Sequence, residues 1–364
     1  MIQYRGDPDF EHGSPAVTGV LLANLGTPDS PTTAAVRRYL NQFLSDPRVI
    51  ELPRWLWLTI LHGAILRFRP ARSAAAYRKI WTDEGSPLLK ISERLTKRLG
   101  DRLGARDENF VTELGMAYGN PSIPSALDRL LGRGARRLIV VPLYPQYSAT
   151  TTGSVFDQVT DYFQRQRFIP ELTFVSHYHD RPGYIHAVAD SIRRHWQNSG
   201  RGERLLFSFH GIPKRYLLNG DPYHCECLKT ARLVSELLEL GPEDWFVSFQ
   251  SRIGREEWLR PYTDETFTEW GRQGIGDVDV VCPGFAIDCL ETLEEIAMQN
   301  RDIFSAAGGG ALNYIPCLND SPEHAGLLAD LVLEKLPAVP ERPRQSAEEL
   351  SASCERALSR GASR

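Results

Sequence analysis

The chain has 364 residues, 42% of them hydrophobic and 24% charged, with a formal net charge of −4 and a pI near 6.2. That is ordinary globular composition, with enough apolar material for two domains or one large one. No single-sign field dominates, which excludes nucleic acid as the expected partner.

The amino terminus, MIQYRGDPDF, has neither a basic n-region nor an apolar h-region and does not read as a signal peptide. The expected compartment is therefore the cytoplasm, where the six cysteines stay reduced. Val17–Asn24 (VTGVLLAN) is a continuous apolar run closed by Gly26, Thr27 and Pro28, the pattern of a buried parallel strand and a turn. Leu52–Phe68 (LPRWLWLTILHGAILRF) is the most apolar helical stretch, but Arg54, His62 and Arg67 interrupt it. It falls short of the roughly 18 apolar residues a membrane span needs.

Further strand-like runs follow at Phe110–Ala117, Arg137–Leu143, Leu172–Ser176, Arg204–Phe209, Trp245–Phe249, Val278–Cys282 and Ala311–Ile315. Helical patterns fall between most of them, at Pro87–Leu99, Ile123–Leu131, Gly183–Trp196, Leu228–Leu240 and Asp288–Arg301. Strand and helix in alternation predict α/β architecture: two doubly wound, Rossmann-like lobes, each with a parallel four-stranded sheet. The break is placed near residue 165, giving lobes over 1–165 and 166–322. A helix over 323–336 is positioned to cross back, and 337–364 forms a weakly packed tail.

In such sheets ligands bind beyond the carboxyl ends of the strands. Four of those ends carry chemistry. In LFSFHGIP, His210 stands just past a strand and before Gly211. In VCPGFAIDCLETLEEIAM, a helix follows Pro283–Gly284. Its Asp288, Glu291 and Glu295, read at α-helical spacing, share one face. The alternative for these acids is a solvated first turn favoured by the helix dipole. In VPLYPQYSATTTG, Tyr144 and Tyr147 flank a turn and Ser148, Thr150, Thr151 and Thr152 follow. These are either a capped helix with packed aromatics or a wall for a flat ligand. The turn NLGTPDSP at Asn24–Pro31 lacks the glycine spacing and the lysine of a phosphate loop.

Taken in order, NLGTPDSP, YPQYSATTTGS, SFHGIP with GDPY, FQSRIGREEWLRPYTDET and PGFAIDCLETLEEI resemble the ferrochelatase family of bacterial type, over roughly residues 17–325. The resemblance implies the two-lobe chelatase fold with a porphyrin cleft between the lobes. It also implies insertion of Fe²⁺ into protoporphyrin IX, the last step of haem synthesis. In that reading His210 and Glu291 are the catalytic and metal-site pair. Asp288 and Glu295 line an acidic proton or metal path. Tyr118, Tyr144, Tyr147, Thr150 and Leu25 contact the porphyrin.

Iron and porphyrin are then substrates, no cofactor is required, and a monomer is expected. The apolar stretch becomes a lip over the cleft. Trp55, Trp57, Leu58, Leu61 and Ile65 would meet porphyrin or the inner face of the membrane, with Arg67, Arg69 and Arg72 near propionates or headgroups. An ordinary packed helix is the competing reading of that stretch.

Several positions depart from the family pattern. Ala149 stands where cluster-bearing members have Cys, and the tail offers only Cys354, which removes that type of [2Fe–2S] cluster. Another arrangement would need Cys225, Cys227 and two further thiolates. Cys289 replaces a common His, and Ala117 a common Arg. Leu25 stands where the coproporphyrin-using branch has Tyr, which favours protoporphyrin IX. The competing functions are a cobalt tetrapyrrole chelatase and a non-catalytic porphyrin or haem carrier. No H-E-x-x-H motif supports a metallohydrolase.

Overall fold

A computed structural model of the chain describes residues 4–6, 17–106, 109–254, 256–336 and 346–362. The first sheet contains β1 (Val17–Thr27), β2 (Phe110–Gly119), β3 (Ala135–Pro142) and β4 (Glu171–Phe174), in the order β2-β1-β3-β4. The second contains β5 (Arg204–His210), β6 (Trp245–Gln250), β7 (Val278–Val281) and β8 (Leu312–Ile315), in the order β6-β5-β7-β8. Every pairing between these strands is parallel, and the two sheets repeat one topology. All eight strands fall on the apolar runs, because a strand covered on both faces must be hydrophobic at consecutive positions.

The lobe boundary near residue 165 needs correction. β4 is the outer strand of the first sheet, in register with β3 from Arg137↔Glu171 to Val140↔Phe174, so the first sheet ends only at Phe174. The helix Pro322–Leu333 lies against the first-lobe helix Pro87–Gly104, where Arg102 donates to the Pro322 carbonyl at 3.0 Å. Leu95, Leu99, Leu328 and Val332 join Phe207 and Phe209 in one core shared by both lobes. Burying that much aliphatic surface across the junction makes the lobes a single packed body.

Beyond 337–345, which lie outside the described residues, Ala347–Ser359 forms a helix with a Ser346/Glu349 capping box and no buried residue.

Within the stretch over 52–68 the helix begins at Arg54, with a π-turn at Leu61–Ile65. Its faces differ from the expected ones. Trp57 and Leu61 are buried in the first lobe, and the Trp57 indole donates to the Leu44 carbonyl at 2.6 Å. Leu58 and Ile65 pack at the edge of that cluster. The outward face consists of Leu52, Trp55, Leu56, Ile60 and Phe68, with Trp55 at 75% and Phe68 at 74% exposure.

Candidate active site

Four strand ends meet where the lobes face each other. His210 is the last residue of β5, paired in register with Gln250 of β6. Its Nδ1 lies 2.6 Å from the Gly211 carbonyl. A carbonyl only accepts, so Nδ1 carries the proton and Nε2 presents a bare lone pair. The ring lies between Trp258 and Phe285, each with its centroid 6.4 Å away. Burial lowers the His210 pKa, partly opposed by the charge of nearby Glu291. The imidazole is therefore neutral at pH 7, in the form that accepts a proton or binds a metal.

Glu291 follows β7 and opens a ten-residue π-helix, Glu291–Asn300. It shares a narrow pocket with Leu25, Tyr39, Tyr77 and Cys289. The Gln250 amide donates to the Glu291 carbonyl at 2.9 Å and fixes the start of the helix. The Cys289 thiol hydrogen-bonds the Glu291 carboxylate, and burial with that charge keeps it protonated. Burial also drives the Tyr39 and Tyr77 hydroxyls well above their usual pKa, with Glu291 adding to the effect. Arg69 faces the same carboxylate; burial lowers its pKa and Glu291 opposes the shift.

The π winding changes which acids act together. Its i→i+5 bonds widen the turn, so the α-helical spacing used to align Asp288, Glu291 and Glu295 does not apply. Asp288 precedes the helix and is buried. Its Oδ2 accepts from Asn319 at 2.7 Å, and its Oδ1 accepts from Thr292 at 3.1 Å and from the Tyr314 hydroxyl. This buried carboxylate ties the start of the π-helix to β8 and the loop after it.

Glu295 does stay beside Glu291. Its Oε1 accepts the Ser251 N–H at 2.8 Å and its Oε2 the Ser251 hydroxyl. Ser251 sits at a φ of 67°, a strained conformation these two bonds hold in place. Burial, and then the Glu291 charge, raise Glu295 from 4.5 to about 7 against those bonds. The fourth acid, Glu294, is buried against Lys79 at 2.6 Å and ties the π-helix to the helix Leu66–Ile80.

The elevated Glu295 pKa has a consequence for stability. The unfolded carboxyl ionises near 4.5 and the folded one near 7, so the folded chain holds the extra proton between them. Stability is highest below pH 4.5 as far as this group is concerned, and it falls by about 2–3 kcal/mol as pH rises to 7. Glu295→Gln should flatten that slope in urea melts at pH 5 and pH 8. An unchanged slope would show that Glu295 does not cause it.

Of the expected porphyrin contacts, Leu25 lines the Glu291 pocket, and half-buried Tyr144 lies close enough to Cys289 to feel its thiol. Gly26 holds Leu25 there at a φ of 106°, where an added Cβ would stand 1.7 Å from the Tyr118 carbonyl. Tyr118 is committed elsewhere, donating to Asp46 at 2.7 Å beside Ser154. Tyr147 turns toward Arg48, and Thr150 bonds Ser148 at 3.0 Å in the π-turn Ala149–Gly153. Tyr39, Tyr77 and Gln250 were not singled out from sequence. Two of them lie on helices where an aromatic reads as core, and no spacing marks them.

Cys225 and Cys227 do not act as a pair. On the helix Tyr223–Leu237 positions i and i+2 point to different sides, leaving Cys225 exposed and Cys227 buried. Among the described residues neither joins a group of three convergent ligands.

A ferrochelatase family model matches residues 17–336. The chain belongs to the ferrochelatase family. It is 54% identical to the ferrochelatase of Thioalkalivibrio sulfidiphilus, over 99% of this chain and 100% of that protein. It is 55% identical to the ferrochelatase of Nitrosococcus oceani, over 91% of this chain and 90% of that one. Among solved structures, the cobalt complex of the sirohydrochlorin chelatase SirB from Bacillus subtilis subspecies spizizenii matches with a TM-score of 0.51 and 12% identity. The match covers 87% of this chain and 94% of that one, and it shows the shared chelatase fold. Ferrochelatases are lyases that form nitrogen–metal bonds, so the family makes this chain an enzyme rather than a carrier.

Proposed function

We propose that the protein inserts Fe²⁺ into protoporphyrin IX, with His210 and Glu291 working together at one metal position. Two pyrrole N–H protons leave as the metal enters, so the site must receive protons and deliver a cation. The neutral Nε2 of His210 has one lone pair for either task, and Fe²⁺ accepts imidazole and carboxylate donors. Two protein donors hold the ion weakly enough to release it. Glu291 supplies the negative charge, and Glu295, with a pKa of about 7, gains and loses a proton readily at neutral pH. The protons thus pass along the π-helix from Glu291 to Glu295. Leu25, Tyr39, Tyr77 and Tyr144 give the ring a dry wall, against which a buckled porphyrin can be held.

The observation that carries this reading is the bare Nε2 of His210 in electrostatic reach of Glu291, with a second carboxylate poised near neutrality behind it. Anaerobic absorbance with Fe²⁺ and protoporphyrin IX tests it. Loss of the free-base bands at a rate proportional to enzyme is expected. Binding of the porphyrin without metallation, with either Fe²⁺ or Co²⁺, would overturn it.

The exposed face of Leu52, Trp55, Leu56, Ile60 and Phe68 supports a peripheral contact with the membrane surface, where an apolar porphyrin is carried. Among the described residues no helix is long and apolar enough to cross a membrane. Exposed Arg67 and Arg72 flank this face. Trp55→Ser with Phe68→Ser should lower co-sedimentation with anionic vesicles by at least about tenfold. Equal co-sedimentation would remove the lip from the contact.

A further inference from the structure

A second constellation of metal-ligating side chains lies outside the cleft. After β4 the chain runs extended, so His177 and His179, at i and i+2, project to the same side. Their rings meet edge to face with centroids 5.1 Å apart. Glu226, on the first turn of the helix Tyr223–Leu237, stands against both. Its Oε1 lies 2.7 Å from His177 Nδ1 and its Oε2 3.2 Å from His179 Nδ1. One donor atom from each residue falls within 4.8 Å of the others.

Two features separate this group from a surface ion pair. Glu226 and His179 are only 7% and 5% exposed. The buried Nδ1 of His179 has no hydrogen-bond partner, although a carboxylate oxygen is 3.2 Å away, because the angle is wrong for donation. A buried imidazole nitrogen beside a carboxylate that it does not bond is a polar atom that a metal ion would satisfy. Other charges nearby are already engaged: Asp180 pairs with Lys229 at 2.6 Å.

We propose that His177, His179 and Glu226 bind a divalent transition-metal ion at a site separate from His210 and Glu291. Two imidazoles and one carboxylate form a borderline donor set that suits Zn²⁺, Co²⁺, Ni²⁺ or Fe²⁺ and disfavours Mg²⁺ and Ca²⁺. Tetrahedral metal–ligand bonds of about 2.0–2.1 Å set donors about 3.3 Å apart, and the three donor atoms here lie within 4.8 Å of one another, so side-chain adjustments of about 1–1.5 Å assemble the set. His177 is half exposed and leaves a fourth position to solvent. Glu226 Oε2 also accepts the Tyr147 N–H at 2.7 Å. An ion held here therefore fixes the loop that carries Tyr144 into the cleft, which makes this site a brace for the porphyrin wall.

The test is a Zn²⁺ titration by calorimetry on metal-stripped full-length protein carrying His210→Ala, so that the cleft does not contribute. One Zn²⁺ per chain is expected. Adding His177→Ala or His179→Gln should weaken it at least about tenfold. With Co²⁺ in place of Zn²⁺, a visible d–d band should appear and vanish in the same variants. His177 is exposed enough for its truncation to leave the fold intact. The wild-type chain, compared with His177→Ala alone, gives the same answer as a fall of one ion per chain should the His210 change disturb folding. Absence of Zn²⁺ binding in the His210→Ala chain, or equal affinity after His177→Ala, would overturn the site and leave a hydrogen-bonded cluster.

Discussion

His210→Ala should lower kcat for metallation by about 10²–10⁴-fold while porphyrin still binds. The substitution removes the one unprotonated nitrogen at the end of β5 and leaves a space between Trp258 and Phe285. The cleft wall contributed by Leu25 and Tyr144 is untouched, so KM for the porphyrin should change much less than kcat. Adding imidazole to the assay should restore part of the rate, because a small base can enter the space and offer the same lone pair. A purely structural role would give neither the split between kcat and KM nor the rescue. Activity within tenfold of wild type would sink the assignment of His210.

The sequence carried much of this site because of how parallel sheets are built. Buried strands read as unbroken apolar runs, their carboxyl ends are where ligands bind, and His210 and Glu291 lie just there. The shared face expected for Asp288, Glu291 and Glu295 rests on α-helical winding. Their spacing is informative only if the helix has 3.6 residues per turn, and nothing in ETLEEIAMQN announces π winding. Trp57 and Leu61 were assigned outward for a similar reason: in a helix apolar almost all round, composition does not say which side faces solvent. The boundary at residue 165 failed because β4 is only four residues long and follows a loop, so its partner sheet could not be read from its own pattern.

Glu291→Gln provides the complementary test and should lower kcat by about 10²–10³-fold. Glutamine keeps the shape and the contact with the Cys289 thiol, but it carries no charge to attract Fe²⁺ and takes no proton. The change also propagates to both neighbours. The Glu291 charge raises the His210 pKa and the Glu295 pKa, so its removal should lower both. Glu295 would then ionise below its present value of about 7, and the acidic limb of the residual rate should move to lower pH. Asp288→Asn separates this effect from a general loosening of the π-helix. Because Asp288 is held by Thr292, Tyr314 and Asn319, its loss should cost about 1–3 kcal/mol of stability. The acidic limb should stay where it is in the wild type. If instead Asp288→Asn moved that limb and Glu291→Gln did not, the proton route would run through Asp288, and the division between a structural acid and two working acids would be wrong.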